Sequence, residues 1–131
     1  MDDVTQDTFF NGRIRLKQHR DGYRYSIDAV ILASAVQPKP RETLVDLGTG
    51  CGIIPLILAF RHPGIRIWGV VLQAPLAAVA EANIRENEMT SQVTAVQPTR
   101  RMVTVKTDCI NQNGEEVVTG EALILLDEYQ G

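Results

Sequence analysis

The sequence predicts an α/β chain, a partial βαβα unit with an added C-terminal antiparallel β-hairpin. Three observations carry this. Two β-rich runs, Thr43 to Leu47 and Ile65 to Leu72, alternate with two apolar helical stretches. A glycine cluster, Gly48-Thr49-Gly50-Cys51-Gly52, joins the first run to the first of those helices. After about Thr90 the hydrophobic period drops from 3.6 to two, around the turn signal Asn113-Gly114.

The elements follow in order. Residues 9 to 25 alternate apolar and polar around Ile14 and Leu16, with turn pairs Asn11-Gly12 and Asp21-Gly22, and read as an extended, hairpin-like lead-in. Ser26 stands where it would cap a short helix ending near Val36, with Ile27, Val30, Ile31 and Ser34 at helical spacing and Asp28 in the first turn. Pro38 and Pro40 end it, and TLVDL at 43–47 suits a buried strand. Ile53 to Arg61 is apolar nearly all round, so a buried helix is expected; Pro55 falls in its first turn, where the missing N–H costs nothing. IRIWGVVL at 65–72 reads as a second buried strand with Trp68 in the core, and Pro75 opens a helix with Leu76, Val79, Ala80 and Ile84 on one face. Strand, helix, strand, helix at these lengths specifies a right-handed crossover and a parallel pair. Residues 100–126 then form the hairpin, expected to pair with the parallel strands or with its copy in a second chain, since a lone hairpin is marginal in water.

At 131 residues a single domain is expected, with residues 1–89 and 92–126 as its two parts. Hydrophobic residues at 44% and charged residues at 22% exclude a disordered tail or a charge-driven linker. A net charge of −3 is too mild to imply wholesale nucleic-acid or membrane binding, so any such partner must be met locally. Cys51 and Cys109 lack metal or disulfide-framework spacing, and the acidic start Met1-Asp2-Asp3 with no membrane-length apolar run predicts a cytoplasmic address.

Chemistry concentrates at the glycine cluster. Asp46 closes a strand, glycines follow at alternate positions, and a helix begins, so unpaired N–H groups and a positive dipole end face whatever approaches the turn. G-x-G-x-G differs from the dinucleotide fingerprint G-x-G-x-x-G, which argues against a nicotinamide or flavin site. The plain alternative is a tight strand-to-helix connection.

YRYSIDAVILASAV, LVDLGTGCGIIPLILA and IWGVVLQAPLAAVAEANIREN together resemble the front half of S-adenosylmethionine-dependent methyltransferases over residues 10–89. Tyr23 to Ala33 with DLGTGCGI and the GV-x-x-Q turn is similar to the small-domain subfamily that methylates the exocyclic amine of an adenine in a valine tRNA. The resemblance implies a Rossmann-like unit whose cofactor-binding positions are Asp46, Gly48, Thr49, Gly50, Cys51, Gly52 and Val71, with S-adenosylmethionine as cofactor.

Two positions depart from that family. Where it carries an acid for the ribose hydroxyls, this chain has Val71, so cofactor binding is expected to be weak or lost. Its Asn-Pro-Pro-aromatic motif, which orients the target amine, occurs nowhere in the sequence, so no catalytic residue is assigned. Residues 92–126 have a likeness of their own, with the turn at 111–114 and Gly120-Glu121-Ala122 resembling the closing strands of MaoC-like hot-dog dehydratases, without their D-x-N-P-x-H string. Three readings follow: a methyltransferase-like protein with an incomplete active site, a non-catalytic folding module or recombined chimera, and a hot-dog-type acyl-thioester binding fragment. The glycine cluster argues against the last.

Arg13, Arg15 and Lys17 alternate on one strand face near His19, Arg20 and Arg24, which would suit contact with an RNA backbone; the bland reading is a solvated face. His19 and His62 stand alone and read as surface residues. Cys51 beside a helix start could gain a lowered thiol pKa, but packing is the favoured role. Glu81, Glu86 and Glu88 read as the wet face of their helix, and Glu115, Glu116, Asp127 and Glu128 as solubilising charge. If the hairpin docks across a two-fold axis, the open strand edges are buried in a homodimer.

Overall fold

A computed structural model describes residues 3–21, 24–97, 101–110 and 113–126, the strands at 101–110 and 116–126 by backbone alone. The chain divides into two compact units, Met1–Gln97 and Pro98–Gln130.

The first unit opens with an antiparallel hairpin of β1 (Val4–Phe9) and β2 (Ile14–His19). Phe10, Asn11 and Gly12 are left-handed, with φ of 52°, 55° and 81°, and the Arg13 N–H donates to the Phe10 carbonyl at 3.2 Å, closing the four-residue loop between Phe9 and Ile14. The hairpin thus begins at Val4, ahead of the alternation that announced it. Gly22, of the second expected turn pair, lies outside the described residues.

Helix α1 (Ile27–Ala35) departs from its sequence reading in two ways. Ser26 is the N-cap residue, yet its side chain makes no capping hydrogen bond. The face turned inward is Ala33 with Ala29 and Val30, whereas Ile27, Ile31 and Leu32 are more than half exposed. α1 packs chiefly on one helix, so a narrow stripe of small residues is all it buries. Its last carbonyls are satisfied from outside: Arg61 Nη1 donates to Ala33 O at 3.1 Å and to Ser34 O at 2.8 Å.

Three parallel strands follow in the order β3 (Thr43–Leu47), β4 (Arg66–Val70), β5 (Val93–Val96), joined by α2 (Ile53–Arg61) and α3 (Ala74–Glu86). Both crossovers step the same way along the sheet, which places both helices on one face. Ile67 is buried there, together with Leu56 and Ile57 of α2, Val79 of α3 and Ile14 and Leu16 of β2. The other face is open, with Val45 60%, Leu47 49% and Trp68 44% exposed. Trp68 is therefore not core: period-two alternation turns it away from the covered face. β5 also has no counterpart in the sequence reading, because four residues between a turn and a longer alternating run carry too little pattern to separate.

In the second unit, β6 (Arg101–Ile110) and β7 (Glu116–Leu126) form the expected antiparallel hairpin. Its register runs from Arg101 opposite Leu126 to Cys109 opposite Val118; Ile110 then faces Glu116, leaving Val117 as the extra residue of a bulge. Gly114 takes a φ of 79° at the turn, while Asn111, Gln112, Asp127 and Glu128 lie outside the described residues. Among the described residues β6 and β7 pair with each other.

Candidate functional site

The loop after β3 is built from backbone. The N–H groups of Gly48 and Thr49 both donate to the Val70 carbonyl at 2.9 Å, tying the loop to the end of β4, and the Gly52 N–H donates to Thr49 O at 2.9 Å. Gly48, Gly50 and Gly52 hold φ of 79°, 58° and 90°, left-handed values that explain glycine at alternate positions. The Gly50 N–H has no partner among the described residues. Thr49 is buried against Gly69, where an added Cβ would come within 2.9 Å of its side chain.

Thr49 Oγ1 and Asp46 Oδ2 are both buried and neither has a hydrogen-bond partner. Burial pushes the Asp46 carboxyl above the usual carboxylate range, and the Thr49 hydroxyl beside it opposes the shift in part.

A cavity of about 300 Å³ opens beside the loop, lined by Gly48, Gly50, Val71, Leu72, Gln73 and Leu76. Gly48, Gly50 and Val71 are therefore brought together at one cavity. Asp46 lines a different cavity of about 260 Å³, between α1 and β3, with Leu32, Val36 and Ile54 among its walls. Thr49, Cys51 and Gly52 are buried in the body of the loop. Sequence reasoning misses Gln73 as a site residue. It is the N-cap residue of α3, its side chain makes no capping bond, and among the described residues it supplies the cavity's single polar side chain. The GV-x-x-Q turn is its only sequence signal.

Cys51 is 4% exposed and burial pushes its thiol up, with backbone N–H groups of Ile53 and Cys51 opposing the shift. The lowering expected at a helix start is thus outweighed by desolvation, and packing is its role. Nearby, Asp7 accepts from Gln18 Nε2 at 2.9 Å and from the Tyr25 hydroxyl at 3.3 Å, so β1 and β2 anchor the segment entering α1. Burial, then the Asp7 charge, pushes the Tyr25 hydroxyl up.

Two asparagines, Asn83 on α3 and Asn87 at its C-cap, also escape the sequence reading. Asn83 Oδ1 accepts from the Lys17 N–H at 2.8 Å while its Nδ2 donates to Lys17 O and to Cys51 O, both at 2.8 Å. One turn on, Asn87 treats Arg15 the same way, with bonds of 2.9 and 2.7 Å. Asparagine is a poor helix former, and two at i and i+4 toward a helix end are the available sign of such a clamp.

The basic patch is partly spent. Lys17 Nζ pairs with Glu86 at 2.7 Å, Arg20 with Asp3 at 2.9 Å, and Arg24 donates to Thr5 Oγ1 and His19 O. The side chains of Arg13 and Arg15 are exposed and have no partner among the described residues. His62 is not a plain surface residue, because its Nε2 is buried without a partner. No group of metal-ligating side chains occurs among the described residues, and no described helix is long and apolar enough to cross a membrane.

A family model for the methyltransferase small domain matches residues 25–114. A tRNA1(Val) (adenine(37)-N6)-methyltransferase of Flavobacteriaceae bacterium strain 3519-10 is 24% identical over 84 residues, covering 64% of this chain and 36% of the relative. A Pyrococcus horikoshii protein described as a transferase is similar in fold, with TM-score 0.60, 23% identity, and coverage of 74% of this chain and 37% of its own. The YjhP protein of E. coli gives TM-score 0.51 at 23% identity over 62% of this chain and 33% of its own. The chain thus spans about a third of the length of these relatives. The family match crosses the boundary between the two units and lends no support to a hot-dog likeness of residues 92–126 or to a chimeric origin. With the glycine loop, the parallel strand order and a match over more than half its length, the chain belongs to the methyltransferase small-domain family.

Proposed function

We propose that the chain binds S-adenosylmethionine at the loop of residues 48–52, with a weakened adenosine end and no transfer of the methyl group by these 131 residues alone. The observation that carries this is the cavity beside the loop, where left-handed Gly48 and Gly50 leave room for a ligand's backbone-like atoms and the free Gly50 N–H offers a donor. Val71 presents an apolar wall where ribose hydroxyls would need an acceptor, leaving Gln73 as the polar group of that wall. The cofactor would supply an electrophilic methyl group; the residues described here bind and orient it.

The acceptor class this reading favours is adenine in RNA, after the activity of the tRNA-modifying relative. Arg13 and Arg15 are the cations left to meet a phosphate backbone, with Lys17 held by Glu86. A homodimer would cover the open edges of β3 and β5; sedimentation with a single monomeric species at high concentration argues against it. The deciding experiment is calorimetric titration with S-adenosylmethionine and S-adenosylhomocysteine. Weak binding that disappears in Gly50→Val is expected. No heat from either ligand, or unchanged binding by a folded Gly50→Val protein, would overturn the reading. Radiolabelled methyl transfer to tRNA or adenosine above a no-protein control would overturn the absence of turnover.

A further inference from the structure

We propose that Asn83 is a positioning residue for the 48–52 loop and that it couples the β1–β2 hairpin to that loop. The proposal rests on the reading of the loop as a ligand cradle. Asn83 is 0% exposed and sits on α3, yet none of its three side-chain bonds is to α3. Two go to Lys17, on β2, and one to the carbonyl of Cys51, in the loop. A primary amide has two N–H donors and one carbonyl oxygen, and here both donors and the oxygen are used.

The bond to Cys51 O fixes the plane of the peptide that links Cys51 to Gly52. Gly52 is the left-handed residue, φ 90°, from which α2 departs, and its backbone lies against Ala80 of α3, 3.7 Å from where a Cβ would stand. Gly50, which lines the cavity and whose N–H has no partner among the described residues, stands two residues before Gly52. Losing the Asn83 amide leaves a buried carbonyl unsatisfied and frees a loop whose glycines have the widest choice of conformation. The same loss removes the grip on Lys17, so opening of the hairpin and loosening of the loop become one event.

Asn87 provides an internal control. It grips Arg15 through N–H and C=O just as Asn83 grips Lys17, but its remaining bond is to the Asn83 carbonyl, and it does not reach the loop. Removing Asn87 should loosen the hairpin and spare the loop.

The test is amide hydrogen exchange on the full, unliganded chain. In Asn83→Ala, exchange at Gly52 and Lys17 should rise together by about tenfold or more, while in Asn87→Ala the Gly52 amide should stay within about twofold of wild type at matched global stability. Wild-type protein in graded sub-denaturing urea gives a second measurement that needs no variant: Gly52 and Lys17 should exchange through openings of the same free energy. Unchanged Gly52 exchange in Asn83→Ala, or a Gly52 amide that stays protected in wild type while the Lys17 amide opens, would overturn the coupling. S-Adenosylhomocysteine titration of the wild type decides the cradle reading separately, because the exchange comparison uses no ligand. If wild type binds, Asn83→Ala should bind at least about tenfold more weakly than Asn87→Ala; equal affinities would overturn the positioning role.

Discussion

Replacing Val71 with glutamate tests the adenosine end of the cavity most directly. Val71 is 3% exposed but forms part of the wall beside Gly48 and Gly50, so the longer side chain has the cavity of about 300 Å³ to enter. The other wall residues are Leu72, Gln73 and Leu76, with no cation among them. The new carboxylate is therefore poorly solvated in the free protein, and Val71→Glu should lower unfolding stability by roughly 1–3 kcal/mol at neutral pH. When a nucleoside enters, its two ribose hydroxyls donate to that carboxylate. Hydrogen bonds to a charged group contribute about 1.5–3 kcal/mol each, and desolvation of the ligand offsets a share, so a net gain near 1.5–3 kcal/mol is expected. This corresponds to roughly ten- to a hundredfold tighter binding of S-adenosylhomocysteine. Because the ionised form is the one that binds, the gain should grow as pH rises through the new carboxyl's pKa in the free protein and vanish well below it. Calorimetry on wild type, Val71→Glu and the neutral Val71→Gln across pH checks both size and sign. Equal affinities for wild type and a folded Val71→Glu, or a gain independent of pH, would refute the assignment of this wall to the ribose.

Asp46→Asn should raise the melting temperature at neutral pH. Burial raises the folded-state pKa of Asp46 above its unfolded value of 3.8, so its contribution favours folding below that value and is lost as pH rises through the folded pKa. The advantage of the Asp46→Asn variant over wild type should accordingly narrow toward pH ~3 in thermal scans, and a constant gap would contradict the burial argument. Gly69→Ala places a Cβ 2.9 Å from the Thr49 side chain, and chemical denaturation should show a loss of about 1–3 kcal/mol, with ligand binding reduced as the loop shifts. The Cys51 thiol, buried with a raised pKa, should react with iodoacetamide far more slowly than an unfolded-chain thiol at pH ~8; fast modification in the native state would mean the loop opens readily. Lys17→Ala, which removes a half-exposed ion pair with Glu86, should cost no more than about 1 kcal/mol, unlike loss of the backbone clamp at the same residue.

Much of this molecule is written locally. The strand at 43–47, the buried helix at 53–61, the hairpin around Asn113-Gly114 and the glycine loop all follow from short-range patterns, and the structure holds each of them, although β3 is not the buried strand expected, because Val45 and Leu47 lie on the open face of the sheet. A left-handed glycine is forced by its own backbone, and a helix apolar all round has only one place to go. Other features depend on what arrives from far along the chain. Trp68 and Ile31 are apolar at positions that periodicity assigned inward, yet they face outward because the described first unit covers one face of its sheet and one stripe of α1. Asp46 and Val71 are both assigned to one site by their place in the sequence, but they stand near the ends of neighbouring strands and line two different cavities. Gln73 acquires its place in the wall only when α3 starts beside Gly50, and Asn83 its grip only when β2, 66 residues earlier, lies alongside the helix. Local sequence is enough to specify the elements and the loop that joins two of them, since these need only neighbours within a few residues. Which faces are covered and which polar groups meet is settled by the packed chain, because those contacts join residues too distant in sequence to leave a local pattern.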